Sequence, residues 1–348
     1  MYLGWKEMRY ERLRFTLLTG VMTLIAVVVF ILAGLANGLS QGNRLAVDQW
    51  NAQNVYLNET ANKTLNASQI PLTATNQTDP KTVAPLSVAN TVLRTGSGKK
   101  INVAVLATKK KAFIIPSINH GRTLQHSREL LISDNLRQQG IKVGDKLRFG
   151  TNATTFTVVG DYQASTYSIT PTVYTDLETF SLLTNSPTTM VNAVVMKNNH
   201  ALTNSKGLQK LPIAEFIQHL PGYTAEQATL NTMIYFLVAM SLAIIGIFMY
   251  ILTLQKQALF GILKVEGIGT THILASVIIQ AAIISVVGVL IGLLLAGGVG
   301  VIAPTGMPFA LDYTQLGIYS VLLVVAALLG ACCSWRTIAR INPVTAIG

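Results

Sequence analysis

The chain has 348 residues, half of them hydrophobic, only 12% charged, and a net charge of +11. Soluble domains carry about 25% charged residues, so this composition excludes a purely soluble protein. The two cysteines, Cys332 and Cys333, are adjacent in an apolar stretch, which excludes a disulfide framework and reads as small residues packed in a helix.

In chain order, residues 1–14 carry Lys6, Arg9, Arg12 and Arg14 with Tyr2 and Trp5, and read as an amphipathic helix on the membrane face. Residues 15–39 form the first membrane helix, inside an uncharged run long enough to cross about 30 Å of hydrocarbon. Its length favours a retained anchor over a cleaved signal. Residues 40–229 are a polar block with 18 basic and 11 acidic residues, a domain of formal charge +7. Within it, 101–108 and 129–133 read as strands, 141–161 as a hairpin, 171–174 as the start of a further strand and 176–183 as a short helix. This mixed order predicts an α+β domain. Residues 230–254, 272–302 and 315–335 are three further membrane helices. They are separated by an inner loop, 255–271, and a short outer loop, 303–314, and followed by a tail, 336–348. The pairs Gly34/Gly38 and Gly288/Gly292 have the spacing that lets helices approach closely.

Lys and Arg concentrate at the N-terminal flank, at Lys256 and Lys264, and at Arg336 and Arg340, whereas 303–312 has none. That bias places both termini and the inner loop in the cytoplasm and the large domain outside. The membrane helices carry no Asp, Glu, Lys or Arg in their cores, so no ion path or proton relay is visible. Residues 95–100, TGSGKK, lack the first glycine and the final Ser/Thr of a phosphate loop. The five histidines have no ligand spacing, and no nucleophile–base set stands out. The expectation is no catalytic residue, no metal site, no enzyme activity and no nucleic-acid partner.

The inner segment 256–272, KQALFGILKVEGIGTTH, can place Phe260, Ile262, Leu263 and Lys264 on a short helix whose apolar face seats in a partner's groove. An ordinary interhelical loop is the other reading of these residues. The GILK run 261–264, then Gly267 and a Thr-Thr-His-Ile run, resembles the FtsX-like permease family of ABC transporters. The end of the chain, Arg340-Ile341-Asn342-Pro343, is similar to that family's terminal pattern. The run 129–150 followed by 156–162 resembles the MacB-type outer domain. Ala258 and Leu259 stand where the family often has a basic–acidic pair, and Glu266 where it is often apolar.

The resemblance implies a four-helix (1+3) membrane protein with a large α+β extracytoplasmic domain, in the plasma membrane of a bacterium. It implies a homodimer in contact with membrane lipids and with two copies of a separate cytoplasmic ABC ATPase. The ATPase binds ATP and Mg, so this chain holds no cofactor of its own. The coupling residues it implies are Phe260, Gly261, Ile262, Leu263, Lys264, Glu266 and Gly267. Among subfamilies the chain is most similar to HrtB-type haem-efflux permeases of Gram-positive bacteria. That likeness implies efflux of a hydrophobic or amphipathic substrate, haem included, with Tyr167, Met233, Tyr235 and Met240 as contacts. Met and Tyr ligate haem iron; equally, Met fills packing gaps and Tyr populates the membrane interface. Regulation of a cell-wall hydrolase and release of lipoproteins or lipids stay open as alternatives.

Overall fold

The computed structural model describes residues 10–75, 78–96, 98–151, 153–185, 187, 189–200, 202, 205–302 and 307–340. The chain divides into two compact units, Met1–Gly38 with Gln227–Gly348, and Leu39–Glu226. Helix α1 (Arg12–Gln49) supplies residues to both. The amphipathic helix expected over 1–14 falls largely on residues 1–9, outside the described residues, as does the terminal motif from Ile341 onward.

The unit Leu39–Glu226 is built on β1 (Asn54–Asn58), β2 (Ile70–Pro71), β3 (Val83–Arg94), β4 (Lys100–Thr108), β5 (Ile118–Gly121), β6 (Glu129–Ser133), α2 (Asp134–Gln138), β7 (Lys146–Phe149), β8 (Phe156–Tyr162), β9 (Thr166–Tyr167), β10 (Thr170–Asp176), α3 (Leu177–Thr184), β11 (Met190–Val191), β12 (Ala193–Met196), β13 (Leu208–Pro212) and α4 (Ile213–Gln218). The main sheet runs β13-β1-β12-β3-β4-β10-β6-β8-β5, with β7 and β9 off this path. Its pairs are antiparallel except β10–β4 and β6–β8. The hairpin expected over 141–161 is the β7–β8 pair, and α3 starts where Asp176 accepts the Thr179 N–H at 2.7 Å. Thr95, Gly96, Gly98 and Lys99 lie between β3 and β4, and the Thr95 hydroxyl accepts the Lys99 N–H. Asn58 caps a short 3₁₀ turn by accepting the Thr60 N–H. The end of α1 is embedded in this unit's core. Ala46, Val47 and Trp50 are buried there, and the Trp50 indole donates to Tyr174 OH at 2.8 Å. The Tyr174 ring meets Tyr162 edge-on at 5.5 Å.

The other unit adds α5 (Tyr223–Gln255, helical unit from Gln227), α6 (Gln257–Val265), α7 (Thr270–Ile302), α8 (Tyr313–Cys332) and α9 (Trp335–Arg340). Among the described residues, four helical segments are long and apolar enough to cross a membrane: Arg12–Gln49, Tyr223–Gln255, Thr270–Ile302 and Tyr313–Arg340. Its interior is rich in small residues, among them Ala26, Ala33, Ala281, Ala296 and Ala327, while Leu24, Phe236, Leu294 and Val301 are exposed. The interior mixes these small residues with large ones such as Met22, Phe30 and Phe260, and large apolar side chains on the outside are what lipid, as solvent, permits. Gly288 and Gly292 let α7 approach α1; a Cβ there would lie 2.9 Å from Met22 and 2.7 Å from Ala26. Gly34 and Gly38 make no such helix pair. They admit the Phe309 ring and the Pro308 backbone, and Ala310 N–H donates to Gly34 O at 3.0 Å. Asn37 completes the clasp by donating to Ala310 O at 3.0 Å. The helix expected to run to 335 ends at Cys332, and both cysteines are exposed rather than packed inside.

Candidate functional site

The helix α6 lies at the end of the helical unit where α1 begins. Arg14 donates to Gln255 Oε1 at 2.7 Å, Lys256 Nζ is 3.7 Å from Glu11 Oε2, and the same ammonium lies 5.8 Å from the Phe15 ring centroid. The turn into α6 is therefore held by the first residues of α1. The exit is a Schellman cap: Ile268 N–H donates to Leu263 O at 2.9 Å and Gly267 N–H to Lys264 O at 3.1 Å, with Gly267 at φ +88°. Leu263 and Ile268 both pack on the helical core, which is the apolar contact that accompanies this cap.

Between these two ends, α6 has two faces. Phe260 and Gly261 are buried, and Phe260 joins the core with Phe15, Ile273 and Ile338. Leu259, Ile262 and Val265 are 47%, 46% and 55% exposed. Of the seven expected coupling residues, Ile262, Glu266 and Gly267 are exposed, Leu263 and Lys264 are half-buried, and Phe260 and Gly261 face inward. The inward pair, Phe260 and Gly261, packs into the helical core. Leu259 and Val265, which the sequence reading did not single out, lie with Ile262 on one side of the helix. The same end of the unit carries Arg14, Lys256, Lys264, Arg336 and Arg340, against Glu11 and Glu266.

Of the four expected substrate contacts, three lie on α5 in the helical unit and one in the other unit. Met233, Tyr235 and Met240 lie on α5 and are 50%, 60% and 40% exposed. Met233 and Met240, seven residues apart, share a stripe; Tyr235 points to another side. Tyr167 belongs to the other unit and is 1% exposed there. Burial pushes its phenol well above the usual range, so it stays neutral, and its hydroxyl has no hydrogen-bond partner. A cavity of 690 Å³ opens elsewhere, between α7 and α8, lined by Leu293, Gly297, Gly300, Val301, Phe309, Leu311, Tyr313, Leu316, Gly317 and Ser320. None of the four lines it. Among the described residues, no group of three or more His, Cys, Asp or Glu is placed to hold a metal ion.

The helical unit thus has an amphipathic helix, α6, between its second and third long apolar helices. Residues 231–343 match the FtsX-like permease C-terminal family and form an FtsX-like permease domain. Over its whole length the chain is 28% identical to the proposed hemin transport system permease protein HrtB of Staphylococcus haemolyticus, of which it covers 99%. It is 27% identical to the corresponding protein of Staphylococcus epidermidis, again over 100% of this chain and 99% of the relative. The periplasmic region of MacB from Actinobacillus actinomycetemcomitans is 11% identical with a TM-score of 0.38, over 48% of this chain and 91% of that one. The extracellular domain of the ABC-type transporter YknZ from Gram-positive bacteria is 12% identical with a TM-score of 0.34, over 46% and 98%.

Proposed function

We propose that this chain is the membrane subunit of an ABC efflux system that docks a separate ATPase through α6 and expels an amphipathic substrate, with haem the first candidate. The observation that carries the docking assignment is the exposed apolar strip Leu259, Ile262 and Val265 on a short helix fixed at both ends. A protein groove is one environment that would receive such a strip, and the bilayer surface is the other. The Lys and Arg bias supports a cytoplasmic position for this end. The haem assignment rests on the names of the full-length relatives. In this reading two copies of the chain pair with two ATPase copies. ATP-driven closure then moves α6, and α1 and α5, each shared by both units, carry that motion outward.

The test is reconstitution of the full chain with a candidate ABC ATPase of the same organism. Haem-stimulated ATP hydrolysis is expected, together with haem sensitivity of cells lacking the pair. Ile262→Asp is expected to release the ATPase, because a carboxylate would be buried in an apolar groove without a partner. ATPase activity indifferent to haem, with the outer unit instead retaining a cell-wall hydrolase or a lipoprotein, would replace efflux by mechanical regulation or lipid release.

A further inference from the structure

Cations lie side by side across adjacent strands of the β-rich unit. In the β3–β4 register Arg94 stands directly opposite Lys100, and in the β3–β7 register it stands directly opposite Arg148. Residues opposite one another share a face, and Lys146, two residues from Arg148, joins them there. Arg94, Lys100, Lys146 and Arg148 are all exposed. Their neighbours Leu93, Ile101, Leu147 and Phe149 turn the other way into a common core. Like charges directly opposite one another destabilise a sheet. Among the described residues, none of the four cations pairs with a carboxylate. The adjacent Asp145 accepts the Lys142 N–H at 2.8 Å. Their mutual repulsion is therefore uncompensated within the unit.

The position of this row selects the anion. Ala104 on β4 pairs with Thr172 on β10 in parallel, so four residues earlier Lys100 is level with Ser168. There the N–H groups of Ser168 and Ile169 donate to Asn43 O and Gly42 O of α1 at 3.1 and 3.0 Å. Further along the same face, Val88, Ala104 and Leu106 share a core with Ala46, Val47 and Trp50. The row thus stands at the end of the sheet from which α1 leaves. From Asn43 back to Phe15 that helix carries no charge, and it is long and apolar enough to cross a membrane. Its Asn43 end then stands in the headgroup layer, about 5–7 Å deep beyond the hydrocarbon. We infer that Arg94, Lys100 and Arg148, with Lys146, bind anionic phospholipid headgroups of the leaflet at that end of α1. Arg forks match phosphate oxygens, and each cation near the surface contributes about fivefold to headgroup affinity. The inference is independent of the substrate and the ATPase proposed above.

The experiment uses the full chain in nanodiscs of phosphatidylcholine with or without phosphatidylglycerol. A phosphatidylglycerol analogue with a photoreactive headgroup is expected to label peptides spanning 94–102 and 146–150, and added salt to suppress that labelling. Arg94→Gln is expected to reduce it about fivefold. Arg94→Gln with Lys100→Gln and Arg148→Gln is expected to abolish it, because three such losses multiply to about a hundredfold. The triple variant also relieves the like-charge contacts. In phosphatidylcholine alone its melting temperature is therefore expected to match or exceed that of the wild type, and a lower one overturns the like-charge premise. Undiminished labelling in either variant, or equal labelling by a photoreactive phosphatidylcholine, overturns the proposal. So does a failure of headgroup labelling while a soluble glycerol-phosphate polymer protects the amides of 94–102 from hydrogen exchange, since the row would then serve a wall polyanion instead of the bilayer.

Discussion

A Cβ at Gly38 would overlap the backbone carbonyl of Pro308, and backbone cannot rotate away. Gly38→Ala should therefore cost about 1–3 kcal/mol, the range for forced overpacking. Gly20, on the same helix, has nothing within 4 Å of such a Cβ. Gly20→Ala should stabilise by about 0.5–1 kcal/mol through helix propensity alone. Thermal unfolding of the detergent-solubilised chain compares the two, and equal effects would mean that the 307–312 segment does not rest on α1. In the other unit, Glu129 is buried at the start of β6. It accepts hydrogen bonds from Arg122 and from the N–H groups of Gln125 at 2.7 Å and His126 at 3.0 Å. Burial pushes its carboxyl up, but the Arg122 and backbone hydrogen bonds outweigh burial and bring it from 4.5 down to about 2. A depressed folded-state value means stabilisation that is complete above the ordinary value of 4.5 and is lost as the pH falls towards 2. Glu129→Gln should lower the melting temperature at pH 7 and flatten the decline between those two pH values; an unchanged acid profile would assign that decline to other carboxylates.

At the scale of elements, α6 depends on its cap. Gly267 adopts φ +88°, where a Cβ is strained, so Gly267→Ala should loosen the last turn by about 1 kcal/mol. Gly267→Asn should loosen it less, because Asn tolerates the left-handed region, and Gly267→Val more. Hydrogen exchange at the amides of 263–268 should follow the order Gly, Asn, Ala, Val, and protection that ignores the substitution would remove the cap from the account. The elements themselves were largely legible. The run 129–133 is β-rich, Asp176 is a capping residue in front of an apolar run, and 141–161 carries its own turn, all of them local signals. Partners distant in sequence were not legible. β1 pairs with β12 and β13, far along the chain, and β10 pairs with β4 in parallel; nothing in either strand states its neighbour. The same limit explains the coupling residues. Apolar residues occur on both sides of α6, so composition marks a helix but cannot say that Phe260 turns inward and Leu259 outward; the bundle beside it decides that. The glycine spacing was likewise visible at 34 and 38, yet only the fold reveals that a loop rather than a helix fills it.

At the scale of the whole molecule, two units share two helices, and the boundary of the β-rich unit is set by what its core contains. That core includes Ala46, Val47 and Trp50 from the end of α1, with Tyr223 from the start of α5 packed against it. Asn43 also donates to Glu226 at 2.8 Å, and the N–H groups of Ser168 and Ile169 donate to Asn43 O and Gly42 O at 3.1 and 3.0 Å. Every one of these groups lies within Leu39–Glu226. A fragment spanning 39–226 should therefore fold alone, remain in solution with its formal charge of +7, and melt cooperatively. A fragment beginning at residue 54 keeps every strand of the sheet but loses Trp50, which is 1% exposed. Removing a buried tryptophan costs about 3–5 kcal/mol, a large part of the total stability of a domain this size. The shorter fragment should consequently melt far lower or fail to fold, and Tyr174, left without its indole donor, should become more accessible to solvent. Circular dichroism melts of the two fragments decide the matter: equal melting temperatures would mean that the first helix merely ends at the domain instead of forming part of it, and would leave that helix with no firm grip through which to pass movement from the membrane.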